Sequence, residues 1–424
     1  MDLCIMPGNL SGTIAAIPSK SDAHRRLICA ALACKPSAIE IGEGSRDIEA
    51  TVCALNALGA QIKREKNGYS VIPLKQAEQP AGLRQVDCCE SGSTLRFLLP
   101  VAAALGSQAV FVGQGRLPER PMRVLCELLR AHGAQADRDL LPISISGRLR
   151  GGSFELPGDI SSQYISGLLF ALPLLPQNSR IRLLSPLESA GYVEMTIRAL
   201  KDYGIAVEQL QDGWRVPGGQ HYCPPSASAV EGDWSNAAFW AVAGAFSPDS
   251  VTVTGLSPQS AQGDRLIRSL VRESGAREAM TGGALTVRRG EQHAEALTVD
   301  ARNVPDLVPV LAVLGCGRPG ETRITGCGRL RLKESDRIEA VCAMIRGLGG
   351  DAAAEGDNIV VRGQGWLRGG HVDSCNDHRI AMAAAVAAGL CREPVRLTGA
   401  QAVEKSYPGF WRDFKALGGK ADVL

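Results

Sequence analysis

One pattern recurs along this chain. An apolar residue, three residues of any kind and then a glycine close a stretch of helical periodicity. The pairs are Leu55 and Gly59, Leu129 and Gly133, Leu200 and Gly204, Val271 and Gly275, Ile345 and Gly349, Phe414 and Gly418. Successive glycines lie roughly 70 residues apart, beyond the period of solenoid repeats. Glycine past a helix end takes a left-handed conformation that other residues resist. Alternating stretches follow, with hairpin turns expected at Asn67-Gly68, Asp212-Gly213, Gly282-Gly283 and Gly356-Asp357. Each copy is therefore expected to be a small α/β subdomain.

Six such units in 424 residues exceed one ordinary core, so two similar domains of three repeats are expected. Pro224-Pro225 lies midway and marks a crossing. The sixth copy stops at GGKADVL, before a second hairpin strand. An unpaired strand exposes backbone groups. The N-terminal segment, Leu3 to Ile5 or Thr13 to Ile17, is expected to dock there. The expected domains are 1–18 plus 231–424, completed by the N-terminal segment, and an inserted domain over 19–230.

A net charge of +2 excludes a global basic field for nucleic acid, so any anion site must be built locally. Thirteen cysteines without a C-x-x-C pair form neither a disulfide framework nor a zinc site, and suit a reducing cytoplasm. The start MDLCIMPG does not have the pattern of a signal peptide, and no apolar run reaches membrane-spanning length. Gly315, Gly317 and Gly320 match a dinucleotide fingerprint in letters only, because a helical pattern precedes them.

Several helix starts carry cations where the macrodipole disfavours them. Lys20 and Arg25 flank one start, Lys333 and Arg337 another, and His378 and Arg379 follow a cap expected at Asn376. ESGSTLRFL offers Ser91, Gly92, Ser93 and Thr94, with Arg96 one turn in, and GDISSQY offers Ser161, Ser162 and Gln163. A bound anion held by cation, hydroxyl and helix end explains such repeated violations.

PSKSDAHR, ESGSTLRFL, LPERPM, SSQY, LKESDR, NDHRIAM and EKSYPGF occur in this order and resemble the motifs of the EPSP synthase family, the 3-phosphoshikimate 1-carboxyvinyltransferases. The resemblance implies an inside-out, barrel-like α/β fold with two domains, each of three βαβαββ units. It implies transfer of the enolpyruvyl group of phosphoenolpyruvate to the 5-hydroxyl of shikimate-3-phosphate, with release of phosphate, on the way to chorismate and the aromatic amino acids. It implies a cytoplasmic enzyme, expected to be monomeric, with no metal or organic cofactor. Nucleic-acid and membrane partners are not expected, and glyphosate is the expected inhibitor.

Site roles follow from the same resemblance. Lys20, Ser21, Arg25, Ser161, Ser162, Gln163, Ser189, Tyr192, Asp306 and Lys333 are the expected contacts of shikimate-3-phosphate. Lys20, Gly92, Arg120, Gln163, Arg337, Arg379 and Lys405 are those of phosphoenolpyruvate, with Gly92 admitting it close to the backbone. Asp306 is the expected base at the hydroxyl, and Glu334 and Lys20 handle the proton at the methylene carbon. The substrates are expected in a cleft between the halves. Glu90 replaces an asparagine common in the family, and its carboxylate is expected to turn toward a cation.

Overall fold

The computed structural model describes residues 1–74, 82–291 and 295–424. They form two compact units, one of Met1–Ser19 with Glu231–Leu424 and one of Lys20–Val230. Each unit has its own apolar core.

The glycines that end the six helical stretches all lie in the left-handed region, at φ 111°, 93°, 76°, 96°, 78° and 93° in chain order. At Gly59 the backbone N–H caps the helix Arg46–Leu58 by donating to Asn56 and Leu55 carbonyls. Two of the four hairpins differ by one residue from the expected register. The turns are Lys66-Asn67 and Gln211-Asp212, and Gly68 and Gly213 begin the following strands. These two glycines serve a close approach rather than a turn. A Cβ at Gly68 would strike the Ile39 carbonyl, and one at Gly213 the Ile181 carbonyl.

Every repeat uses one strand order. In the third, Ser153–Leu156 runs parallel to Ser179–Leu183, which pairs antiparallel with Gly213–Val216, which pairs with Glu208–Leu210. Arg84–Asp87, Ala109–Val112, Ile143–Gly147 and Ala134–Ala136 repeat it, as do Leu297–Asp300, Pro319–Thr325, Asn358–Gln364 and Asp351–Glu355. The N-terminal segment fills two vacancies. Leu3–Ile5 lies between Val395–Thr398 and Ala421–Val423, as the missing hairpin strand of the sixth repeat. Gly12–Ala15 runs parallel to Val251–Thr254, as the first strand of the fourth. Among the described residues the first repeat has three strands, and Ala229 bridges in parallel to Glu40 on its open side.

The first helix of a repeat is the buried one. Trp234–Phe246, Val308–Cys316 and His378–Ala387 are buried at every position, as a helix apolar on all sides must be. In the other unit Gly92–Leu105 and Ser162–Ala171 pack so closely that a Cβ at Gly167 would meet the Arg96 carbonyl. Gly315 and Gly317 sit at the end of Val308–Cys316, away from any strand-to-helix turn. No helix among the described residues is long and apolar enough to cross a membrane.

Candidate active site

The cation- and hydroxyl-bearing segments fall where strands end and helices begin, the place where α/β folds expose free N–H groups. The loops entering these helices hold the strained backbone. The non-glycine residues at positive φ among the described residues are Cys89, Ser189, Cys375 and Asn376, at 49°, 56°, 51° and 54°. Cys89, Cys375 and Asn376 precede helix starts that the motifs single out, and Ser189 precedes the helix that carries Tyr192. Such conformations cost about 1–3 kcal/mol apiece and persist where surrounding structure enforces them. The cap before His378 is Asp377, whose side chain accepts from the Arg379 N–H, and the expected cap Asn376 is the left-handed residue before it. The Asn376 carbonyl is thereby turned to accept from Lys405 Nζ at 2.6 Å.

In the unit Lys20–Val230 Lys20 meets a carboxylate, while Arg25 donates to neutral acceptors. Lys20 opens the helix Lys20–Ala31 and pairs with Asp47 at 2.8 Å. Arg25, 2% exposed, donates to Thr196 Oγ1 and to the carbonyls of Ser21 and Tyr192. Burial holds its pKa down, at about 10. His24 Nδ1 meets Thr51 Oγ1 at 2.7 Å, Thr51 meets Thr94 at 2.6 Å, and Thr94 Oγ1 donates to Ser91. Burial first, then Lys20 and Arg25, hold the His24 imidazole neutral by lowering its pKa well below the usual range. This hydroxyl chain ties the first motif to the second.

Arg96 is the cation that the segment Ser161–Gln163 does not itself contain. Its NH1 donates to Gln163 Oε1 at 2.7 Å, while Gln163 Nε2 donates to Ser93 Oγ at 2.9 Å. Tyr164 donates to the Pro121 carbonyl and so fixes the loop of Arg120. A Cβ at Gly92 would lie 2.7 Å from Arg120 NH1, so the glycine first makes room for this guanidinium. The Glu90 carboxylate lies against Gly115, where any side chain would collide with it. Ser189 precedes the helix Ala190–Asp202, which carries Tyr192, and the Tyr192 ring flanks Arg25 at 6.0 Å.

The discontinuous unit holds a denser charge cluster. Arg337, 1% exposed, reaches Asp306, Glu334 and Asp377, each at 2.8 Å. Arg379 NH2 donates to Asp306 Oδ2 at 2.9 Å, and Ser335 Oγ to Asp377 at 3.0 Å. Burial opposes the Arg337 charge, but Asp377, Glu334 and Asp306 override it and raise its pKa. Burial would raise the Asp306 pKa, yet Arg379, Lys333 and Arg337 pull it well below the carboxylate range. Lys333 lies just after the turn Gly328–Leu332 and before the cap Asp336, so Lys333 and Arg337 lie on either side of this helix start.

A second aspartate behaves in the opposite way. Asp264, 3% exposed, accepts from Ser235, and burial and then the negative charge of Asp306 push its pKa up to about 7. Neither Asp264 nor Asp377 stands out in the sequence, because an acidic residue near a helix start is ordinary. Arg96 carried a signal, a cation one turn into a serine-rich helix start.

Comparison with known proteins decides the lineage. The family model of EPSP synthase (3-phosphoshikimate 1-carboxyvinyltransferase) matches residues 5–414. The chain belongs to the EPSP synthase family. The 3-phosphoshikimate 1-carboxyvinyltransferase of Clostridium kluyveri is 40% identical over 423 residues, covering 99% of this chain and 97% of that one. That of Clostridium acetobutylicum is 40% identical over 424 residues, covering 98% and 97%. The EPSP synthase of Acinetobacter baumannii has the same fold, with a TM-score of 0.82 at 24% identity over 100% of both chains. The enolpyruvyl transferase NikO of Streptomyces tendae also shares the fold, at 0.79 and 18% identity over 99% and 98%. The fold is the expected α/β architecture of repeated units.

Proposed function

We infer that this chain transfers the enolpyruvyl group of phosphoenolpyruvate to the 5-hydroxyl of shikimate-3-phosphate and releases phosphate. The arrangement that carries the assignment of roles is Asp306 held by Arg337 and Arg379. A carboxylate suited to the substrate hydroxyl sits on the two cations suited to the anionic co-substrate.

Shikimate-3-phosphate is assigned to Ser21, Ser161, Ser162 and Ser189, with Gln163 oriented by Arg96 and Ser93. Arg25 is a positioning residue here, since its guanidinium already donates to Thr196, Ser21 and Tyr192. Tyr192 packs beside the substrate ring, and Lys333 and Asp306 take its hydroxyls. Phosphoenolpyruvate is assigned to Lys20, Arg120, Arg337, Arg379 and Lys405, over Gly92. Each charge-assisted hydrogen bond is worth about 1.5–3 kcal/mol.

Asp306 paired with Arg337 and Arg379 is a weak base, because Arg379, Lys333 and Arg337 hold its pKa well below the carboxylate range. Arrival of an anion that takes up Arg337 and Arg379 withdraws those charges and restores basicity. The base is thereby activated only when the co-substrate is present. Asp306 then accepts the hydroxyl proton as the oxygen attacks C2 of phosphoenolpyruvate, and the methylene carbon gains a proton from Glu334 or Lys20. The tetrahedral adduct loses phosphate as a proton leaves the methyl carbon, and the cations stabilise the departing charge.

Glyphosate, itself an anion, competes for the same cations. The enzyme works as a cytoplasmic monomer. The deciding experiment is phosphate release from phosphoenolpyruvate by the purified protein. Release that requires shikimate-3-phosphate is expected, and none in its presence would refute the assignment.

A further inference from the structure

The cysteines of this chain divide by exposure. Cys29, Cys88, Cys126, Cys316, Cys327, Cys342 and Cys391 are buried, and burial pushes thiols such as Cys316 up to about 12. Cys34 and Cys223 are both exposed, and their sulfurs lie 3.9 Å apart although 189 residues separate them. The backbone sets this meeting. Ala33 and Tyr222 are parallel bridge partners, Cys34 N–H donates to the Tyr222 carbonyl at 2.8 Å, and Cys223 N–H donates to the Tyr203 carbonyl at 2.8 Å. Tyr222 is anchored in turn through its hydroxyl to the Phe170 carbonyl at 2.7 Å.

We propose that Cys34 and Cys223 form a modification site at which a hydroperoxide closes a reversible intrachain disulfide. Paired extended segments lie about 4.8 Å apart, within the Cα separation of about 4.4–6.8 Å that a disulfide spans. The sulfurs must approach from 3.9 Å to about 2.05 Å, which rotation of two exposed side chains supplies without moving the backbone. Lys35 adjoins Cys34 in the chain, and a cavity of about 390 Å³ lined by Cys34, Lys35, His221 and Tyr222 opens the pair to a small oxidant.

The Cys34 thiolate attacks the peroxide O–O bond. Its sulfur becomes a sulfenic acid, and the other oxygen leaves as alcohol or water. The Cys223 sulfur attacks the sulfenic sulfur, the S–S bond forms, and hydroxide leaves and takes the thiol proton as water. Two electrons pass from the sulfurs to the peroxide. The bridge ties the chain approaching Val230 to the end of the helix that opens with Lys20. None of the residues assigned to the transfer reaction takes part.

The test treats the full-length protein with a slight excess of hydrogen peroxide, alkylates it, digests it and maps the peptides by mass spectrometry. The expected product is the Cys34 peptide joined to the Cys223 peptide, two hydrogens lighter than the pair and restored by dithiothreitol. In Cys223→Ser, dimedone should trap a sulfenic acid at Cys34, with kcat/KM for enolpyruvyl transfer unchanged in the unoxidised variant. The oxidised wild type should unfold at higher urea than the reduced form, and Cys34→Ser should lose that shift. Both thiols still alkylated while Cys53 or Cys375 oxidises would overturn the proposal. So would Cys34 linked mainly to another partner.

Discussion

The two units present the residues proposed to bind anions in different ways. In Lys20–Val230 the polar groups are mostly neutral: serine caps, a threonine–histidine chain, and Arg25 resting on carbonyls and a hydroxyl. In the discontinuous unit Arg337 and Arg379 are already matched by Asp306, Glu334 and Asp377. A hydroxyl and carbonyl lattice costs little to keep without ligand. Arg25 keeps its buried charge on neutral acceptors at the cost of a lowered pKa, whereas Arg337 is matched by carboxylates that raise its pKa. In the proposed reaction the second arrangement gives up a pairing to accept an anion, and that exchange links binding to basicity at Asp306.

The largest effect should come where pairing and chemistry coincide. Asp306→Ala is expected to lower kcat about 10²–10⁴-fold, the range for loss of a general base. Steady-state phosphate release measures it, and a loss confined to KM would place Asp306 in binding alone. Arg337→Ala should next cost about 3–5 kcal/mol of stability, since Asp377 would remain buried at 0% exposure without its main partner. Urea unfolding checks this, and a change under about 1 kcal/mol would break the contrast between the units.

Asp264 sharpens it through pH. Its folded pKa of about 7 lies above the ordinary 3.8, so its contribution is intact at low pH and lost as pH rises toward 7. Asp264→Asn removes that loss. Stability between about pH 5 and pH 8 should therefore fall less than in the wild type, by up to about 3 kcal/mol. Identical slopes in chemical denaturation would show that Asp264 stays charged.

The neutral half should respond more mildly. Gly92→Ala must displace the Arg120 guanidinium, and is expected to raise KM for phosphoenolpyruvate about tenfold, about 1.4 kcal/mol, with glyphosate inhibition weakened alongside. Unchanged constants for both would show that Arg120 shifts freely. Ser162→Ala should weaken shikimate-3-phosphate binding about fivefold, about 1 kcal/mol, by calorimetry, with stability unchanged.

Much of the fold was legible because local rules carry it. The helix-ending glycines announce a left-handed residue whatever surrounds them, and all six adopt it. The helix starts that break charge rules pointed to the segments of the candidate site. Less was legible wherever a partner distant along the chain decides. Gly68 and Gly213 look like turn residues but answer to a carbonyl on a neighbouring strand. Asn376 looks like a cap, while its left-handed backbone gives that role to Asp377. The N-terminal residues show no sign of serving two different repeats, which their pairing alone reveals.

The sequence by itself determined the repeat, its helix ends, and which segments carry cations and hydroxyls, because these depend on backbone preference and spacing within a few residues. The tertiary structure alone decided which charges meet. Asp306 and Asp264 are the same residue type, yet one is drawn down by Arg379, Lys333 and Arg337 and the other pushed up by burial and by the first. A pKa is set by distance and dielectric in space, and neither is written along the chain.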